Sequence, residues 1–486
     1  MPECVISKRS DAGPQTEDFG AQCQPVVGML TVEVTDDWLD ELGVSLEDFT
    51  SRMMGVWYFN YSQALQHVNV RTVFYLVSTK VMRTTRFIHE ETGSTFVVLP
   101  PPKIYRLFRQ WLPKPPTVMP WRFELRLLNG LSHTMYRAIR FILRYASTPL
   151  RALFAELKRD GCQALIVQEY ESARFDVCVL MGRVKSVRVL GTYQGGVPQH
   201  TLLRPLRPVA MKLCAGLIVP AQNEARRITT DYSFPAKKTS LVYTPVDTAM
   251  FYPLSKKEQR ASLGIPCETQ IVIYHGQIVF DYKGLDVLLE SWDGLCQSKP
   301  DRDMCLMLVG TGRDAAELSR RLSMNKHLKV KWVNKWIRDR RGIRQHLASA
   351  DIYVCLSRGD AFPLAMIEAM ACGLPVVASN VNGIADIFED GEQSGGILVP
   401  PGDADALAKA LEKLLTDSAL TQILGHRARN RAISAFSMER TGHQLRNILL
   451  SGVSPDQKTS RDHFSALPVV SPSASRHHIL LDNELR

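Results

Sequence analysis

The chain has 486 residues, 45% of them hydrophobic and 22% charged, and a formal net charge of +10. That is ample apolar material for two or three folded domains, which excludes a disordered or fibrous chain. No apolar run reaches the roughly 18 residues of a membrane span. The ten cysteines include no C-x-x-C pair and no histidines beside them, which argues against a disulfide scaffold or a zinc module.

Residues 1–25 mix charges of both signs without an apolar core. They suggest a flexible lead-in rather than a secretory signal, so a cytoplasmic location is expected. Residues 26–34, VVGMLTVEV, form the first strand. A helix over 62–67, a strand over 71–77, a helix near 84–91 and a strand over 95–99 are expected next. Strands alternating with helices at this spacing predict a doubly wound parallel sheet.

Between residues 103 and 151 the composition changes. Ten Lys or Arg, among them Lys103, Arg106, Arg109, Arg137, Arg140 and Arg144, face the single acid Glu124, with aromatics such as Tyr105, Phe108 and Trp111 interleaved. A basic, aromatic-flanked amphipathic helix suits an anionic membrane surface or an acidic ligand. An ordinary packed helix with a solvated basic face is the competing reading. No nucleic-acid-binding motif accompanies the charge, so nucleic acid is not an expected partner.

A strand over 164–167 runs into Glu169 and Glu171, and one over 187–190 runs into Tyr193 and Gln194. Loops at strand C-termini line the crevice of a parallel sheet, which makes these four residues candidate acceptor contacts. Plain turn geometry explains each of them equally well. A strand and helix over 216–226 follow, and the chain changes domain near residue 245.

The second half begins with the strand 270–275, which ends in Gly276 and Gln277, with Lys283-Gly284 just beyond. The strand 304–309 then feeds Gly310-Thr-Gly312. This loosely matches a dinucleotide fingerprint, but that reading needs an acid after the next strand, and Asn334 and Lys335 stand there instead. A strand over 351–356 opens into Ser357-Arg358-Gly359-Asp360. Phe362-Pro363-Leu364 starts a helix that runs through Ala371, with Gly373 as its C-cap, and the strand 375–379 leads to a turn at Gly383. Asp360 and Glu368 are separated by seven residues. A strand–loop–helix start of this kind presents free N–H groups to an anion, and a nucleotide diphosphate is the obvious one. More modest roles exist for both acids: Asp360 as a helix-start charge worth about 0.3–1 kcal/mol, and Glu368 as a surface charge.

Taken in order, Gly276 and Lys283, Gly310 and Gly312, Asp360 and Glu368, Gly383 and the run Leu398-Val-Pro-Pro-Gly-Asp403 resemble family-4 glycosyltransferases of the GT-B fold. The resemblance implies two Rossmann-like doubly wound parallel-sheet domains facing across a cleft. Residues 26–245 would form the acceptor side and 246–437 the nucleotide-sugar side, with 438–450 crossing back and 451–486 a flexible tail whose His477-His478 pair is solvated. It implies transfer of a sugar from a nucleotide-diphospho-sugar to an acceptor hydroxyl with retention of configuration. No cofactor and no metal are implied, and the acceptor would be a small molecule, a glycan or a lipid.

By the same resemblance Lys283 faces the diphosphate, Asp360 the sugar hydroxyls and Glu368 the ribose. Gly276, Gln277, Gly310, Gly312, Arg358, Phe362, Pro363, Leu364 and Gly383 complete the donor site. Three departures stand out. The Gly-rich loop after the first strand is missing, Asp360 replaces the more usual Glu, and Gln277 replaces an Arg. An amide cannot balance the leaving charge, so Arg358 or Arg313 is expected to supply it. An active enzyme and a non-catalytic nucleotide-sugar-binding relative with a weakened phosphate site both remain open.

Overall fold

The computed structural model describes residues 24–36, 39–40, 44–52, 57–109, 142–193 and 206–451. The lead-in before residue 24, Gln194, most of the basic segment (110–141) and the tail beyond 451 lie outside them.

The first half builds an eight-stranded sheet from β1 (Val26–Val34), β2 (Arg71–Val77), β3 (Thr85–Ile88), β4 (Thr95–Leu99), β5 (Cys162–Gln168), β6 (Arg188–Thr192), β7 (Gly216–Val219) and β8 (Thr239–Leu241). The strand order is β3-β4-β2-β1-β5-β6-β7-β8. Every pairing is parallel except that of β3 with β4. Strands that read as unbroken apolar runs are covered on both faces, and β2 is buried at every position after Arg71. One face packs Phe49, Phe59, Phe74 and Phe96 together; the other packs Leu153, Leu157, Phe175 and Met211. The helix expected near 84–91 is instead the edge strand β3. Four half-exposed residues are too short a stretch for a helical period to show.

The second half builds a six-stranded sheet from β9 (Gln270–His275), β10 (Met304–Val309), β11 (Val330–Val333), β12 (Ile352–Cys355), β13 (Val376–Ser379) and β14 (Gly396–Val399). Its order is β11-β10-β9-β12-β13-β14, parallel throughout. In such a sheet the loops at the strand C-termini share one edge, where the strand order reverses beside β9.

The helices that frame this edge and the link between the halves are α1 (Trp57–His67), α2 (Lys103–Arg109), α3 (Ala173–Lys185), α4 (Gln222–Tyr232), α5 (Phe280–Lys283), α6 (Leu285–Ser298), α7 (Arg340–Ser349), α8 (Leu364–Ala371), α9 (Ile384–Ile387), α10 (Ser418–Phe436) and α11 (Met438–Arg446). The chain passes between the sheets twice, side by side. Val246 N donates to Phe436 O at 2.8 Å, and α1 grips the first crossing through Asn60 Nδ2 to Pro245 O at 2.7 Å and Tyr61 OH to Val242 O at 3.1 Å. After the second crossing α11 lies on α1. Gly442 comes so near that a Cβ there would stand 2.1 Å from Ala64 O. Leu445, Ile448 and Leu449 are buried in the core of the first sheet. Among the described residues no helix is long and apolar enough to cross a membrane.

Candidate active site

The loops at the C-terminal edge of the second sheet are packed backbone to backbone, and glycine is what permits it. Gly310 (φ +138°) sits so that a Cβ would be 1.9 Å from Gly276 O, and one on Gly312 would be 2.5 Å from Ile278 O. Gly383 (φ +81°) presses likewise on the carbonyls of Asp360 and Ala361. Three of the glycines in the sequence pattern therefore set how closely neighbouring loops approach. Gly284, between α5 and α6, has φ +68° and would place a Cβ 2.2 Å from Leu356 O at the end of β12. This contact brings Lys283 beside the Ser357–Asp360 loop.

Lys283 Nζ lies 2.8 Å from Asp360 Oδ2, which also accepts Ser357 Oγ at 3.3 Å. The ammonium lies 4.9 Å from the centre of the Tyr282 ring. Burial works against its charge, but the Asp360 carboxylate prevails and holds the Lys283 proton more tightly than usual. Arg358 N donates to Tyr282 O at 2.9 Å, so the two loops form one unit.

Arg358 and Arg313, expected to supply the charge that Gln277 cannot, are both paired with carboxylates. The Arg358 guanidinium bonds Asp286 at 2.6 and 2.9 Å and the carbonyls of Phe280 and Asp281. Arg313 bonds Asp281. Both charges already have carboxylate partners, and their effect is to fix α5. Gln277 is exposed, and its carbonyl accepts Tyr274 OH at 2.6 Å.

α8 begins after Pro363 with no side-chain cap, which leaves its first N–H groups turned toward this edge. The Phe362 ring is buried and stacks on Tyr243 at 5.3 Å, with Phe436 edge-on at 5.4 Å. Phe362 thereby joins the helix start to the crossing segments. Leu364 and Ala365 face a pocket of about 120 Å³, far beyond the space one water needs. Its walls include His275, Gly276, Gly310, Trp336, Arg340 and Glu368.

Glu368 is 4% exposed. Burial pushes its carboxyl up to about 7, with Arg340 opposing the rise. Arg340 Nη2 stands 3.5 Å from Glu368 Oε1, and its guanidinium also lies 4.9 Å from the centre of the Phe251 ring. Arg340 Nε and His275 Nδ1 are buried without hydrogen-bond partners. Burial also pushes the His275 imidazole down to about 4, so it is neutral at pH 7. Buried polar atoms left unpaired around a pocket are what a hydrogen-bonding ligand would satisfy. Sequence reasoning missed Arg340, His275 and Trp336. The only trace of Trp336 and Arg340 was a basic run, residues 338–344, after an aromatic.

On the first sheet the three described acceptor candidates, Glu169, Glu171 and Tyr193, differ in their surroundings. Glu171 is committed to a buried network, accepting Arg227 Nη1 at 3.1 Å and Tyr232 OH. Arg227 also pairs with Glu224 at 2.8 Å. Glu169 holds the β5 turn at φ +56°. Tyr193 is half-buried at the end of β6. Burial raises its phenol most, with Glu224, Glu169 and, from the second sheet, Tyr282 adding to the rise. Where the Gly-rich loop is missing, Asp36 ties the end of β1 to β2 by accepting Ser78 Oγ at 2.5 Å and Thr79 N at 2.7 Å. No cluster of three His, Cys, Asp or Glu suited to a metal occurs among the described residues.

Residues 269–417 match the family described as glycosyl transferases group 1. The match lies within the second half of the chain. The group 1 match spans β9 through β14 and so contains Lys283, Asp360, Glu368 and the pocket. D-inositol 3-phosphate glycosyltransferase of Jonesia denitrificans is 32% identical over 277 residues, covering 54% of this chain and 63% of that protein. N-acetyl-alpha-D-glucosaminyl L-malate synthase of Bacillus anthracis is 25% identical over 214 residues, 44% of this chain and 54% of that one. The chain thus spans less than two thirds of the curated relatives it matches.

Among solved structures, sucrose-phosphate synthase from Thermosynechococcus elongatus matches with a TM-score of 0.62 at 21% identity, over 91% of this chain and 100% of that one. Anabaena Alr3699/HepE in complex with UDP matches with a TM-score of 0.61 at 16% identity, over 88% and 100%. The fold is GT-B, as the resemblance to family-4 glycosyltransferases implied.

Proposed function

We propose that the protein transfers a glycosyl group from a nucleoside-diphospho-sugar to an acceptor hydroxyl with retention of configuration. The observation that carries this reading is the meeting of Lys283, Asp360 and Glu368 on one sheet edge, around an uncapped helix start and a pocket with unpaired buried polar atoms. The HepE structures contain UDP and UDP-glucose, which supports a nucleotide in the corresponding place here.

In this reading the nucleoside lies in the pocket between His275, Arg340 and Glu368, with the carboxylate accepting ribose hydroxyls. The diphosphate lies over the start of α8, where N–H groups and Lys283 stabilise the charge that grows on it without a metal. Asp360 accepts hydroxyls of the sugar. The acceptor hydroxyl attacks the anomeric carbon from the face the diphosphate leaves. As that C–O bond breaks, the hydroxyl proton passes to the departing diphosphate oxygen.

The acceptor side is the first sheet. There α2 exposes Ile104, Leu107 and Phe108 beside Lys103, Arg106 and Arg109, on a segment of ten cations and one acid. Apolar side chains rimmed by cations suit an anionic lipid surface, and we propose that the acceptor is presented there. Vesicles of neutral and of anionic lipid should separate in flotation, with retention on the anionic ones alone. Retention on neither removes the membrane from the proposal.

The decisive assay offers a panel of UDP-, GDP- and ADP-sugars and measures release of the nucleoside diphosphate. Turnover that Lys283→Met abolishes supports the reading. Binding without turnover would mark a nucleotide-sugar-binding relative instead, and no binding at all would refute it.

A further inference from the structure

We propose that the Lys283–Asp360 ion pair works as an internal counter-ion that makes the site disfavour the spent nucleoside diphosphate relative to the sugar-carrying donor. The proposal rests on the nucleotide-sugar reading of the same edge. It concerns what the pair does when no sugar is present.

The pair is short, at 2.8 Å, and its side chains are only 23% and 15% exposed. The backbone that carries each partner is held in place. Gly284 locks the Lys283 turn against Leu356 O, Gly383 presses on the carbonyl of Asp360, and Arg358 N ties the two loops through Tyr282 O. A diphosphate that recruits Lys283 must therefore come close to the Asp360 carboxylate, in a setting only partly screened by water.

What arrives with the diphosphate decides the outcome. A donor carries a sugar whose hydroxyls can donate to Asp360, so the carboxylate exchanges one partner for another. A spent nucleoside diphosphate brings no hydroxyl at that place, and its terminal phosphate bears more negative charge than the esterified one. Asp360 then loses its cation and faces an anion, a like-charge contact that costs affinity. When the product leaves, the pair re-forms. Asp360 would thus act twice, as acceptor for the sugar and as the group that returns Lys283 to a neutral pair.

Isothermal titration with UDP, GDP and ADP tests this on the full chain, using wild type, Asp360→Asn, Lys283→Met and the double variant. With Lys283 present, Asp360→Asn should tighten the nucleoside diphosphate that binds by about ten-fold. In the Lys283→Met background the gain should shrink to about three-fold or less, because there is no cation left to release. Equal affinity in wild type and Asp360→Asn overturns the proposal while leaving the nucleotide site intact. An undiminished gain in the double variant also overturns it, since plain relief of repulsion would then suffice. Binding of none of the three nucleotides to any form overturns the nucleotide-sugar reading and the proposal with it. Thermal melts check folding, and Asp360→Ser replaces the amide variant if the amide disturbs the loop.

Discussion

Arg340 Nη2 lies 3.5 Å from Glu368 Oε1, in a pair whose side chains are 9% and 6% exposed. The distance is long for a charge-assisted hydrogen bond, so the cation only partly offsets the cost of burying the carboxylate. The Glu368 carboxyl is raised from 4.5 to about 7. Folded protein therefore keeps a proton between pH 4.5 and about 7 that unfolded chain has released. Stability from this group is full below pH 4.5 and is lost as pH rises toward 7, by about 3 kcal/mol at most. Urea denaturation at pH 5 and pH 8 should show this loss in wild type and not in Glu368→Gln. An identical pH response in both would refute the assignment.

Gly284→Ala should cost about 2 kcal/mol or more. The new Cβ must occupy a left-handed backbone and meet Leu356 O at 2.2 Å. Because this contact seats Lys283, nucleotide binding should weaken along with stability. A variant with an unchanged denaturation midpoint would show that the α5–α6 turn adapts freely.

α4 starts at Ala221 without a side-chain cap of its own. Gln222 N donates instead to Asp386 on α9 of the second sheet, and Asn223 Nδ2 donates to Asn382 Oδ1 at 2.7 Å beside it. A cap borrowed across the cleft is present only when the halves are together. Asp386→Ala should remove about 1 kcal/mol from that arrangement. Small-angle scattering should then report a larger radius of gyration, with the melting of each half little changed. An unaltered scattering profile would mean that the crossing segments alone set the cleft.

Gln277→Arg adds a cation where the resemblance to family-4 glycosyltransferases implies an Arg. With Arg358 and Arg313 held by Asp286 and Asp281, the new guanidinium should tighten nucleoside diphosphate by about five- to ten-fold. Titration calorimetry reads this directly. No gain would mean that the diphosphate lies away from the β9 loop.

The second sheet was largely legible because its strands are short apolar runs, two of them (β9 and β10) closed by a glycine, and β10 matches the expected 304–309 residue for residue. β3 was not legible: half-exposed edge positions carry neither a strand alternation nor a helical period. The pocket walls failed for another reason. His275 ends β9 while Trp336 and Arg340 follow β11, and only the parallel register that sets β9 beside β10, and β10 beside β11, brings them together. Glu171 looked like a cleft residue because it follows a strand. The sequence could not show that Arg227, on a later helix, would claim it.

The packing of α11 on α1 also bears on how the chain is made. Leu445, Ile448 and Leu449 fill the core of the first sheet, yet a ribosome delivers them after every strand of the second. The half synthesised first must therefore wait, with one apolar seam open, while the half synthesised later can close from its own local segments. Completion runs opposite to synthesis, and a fragment ending at β8 would carry that open seam permanently, as a surface for aggregation.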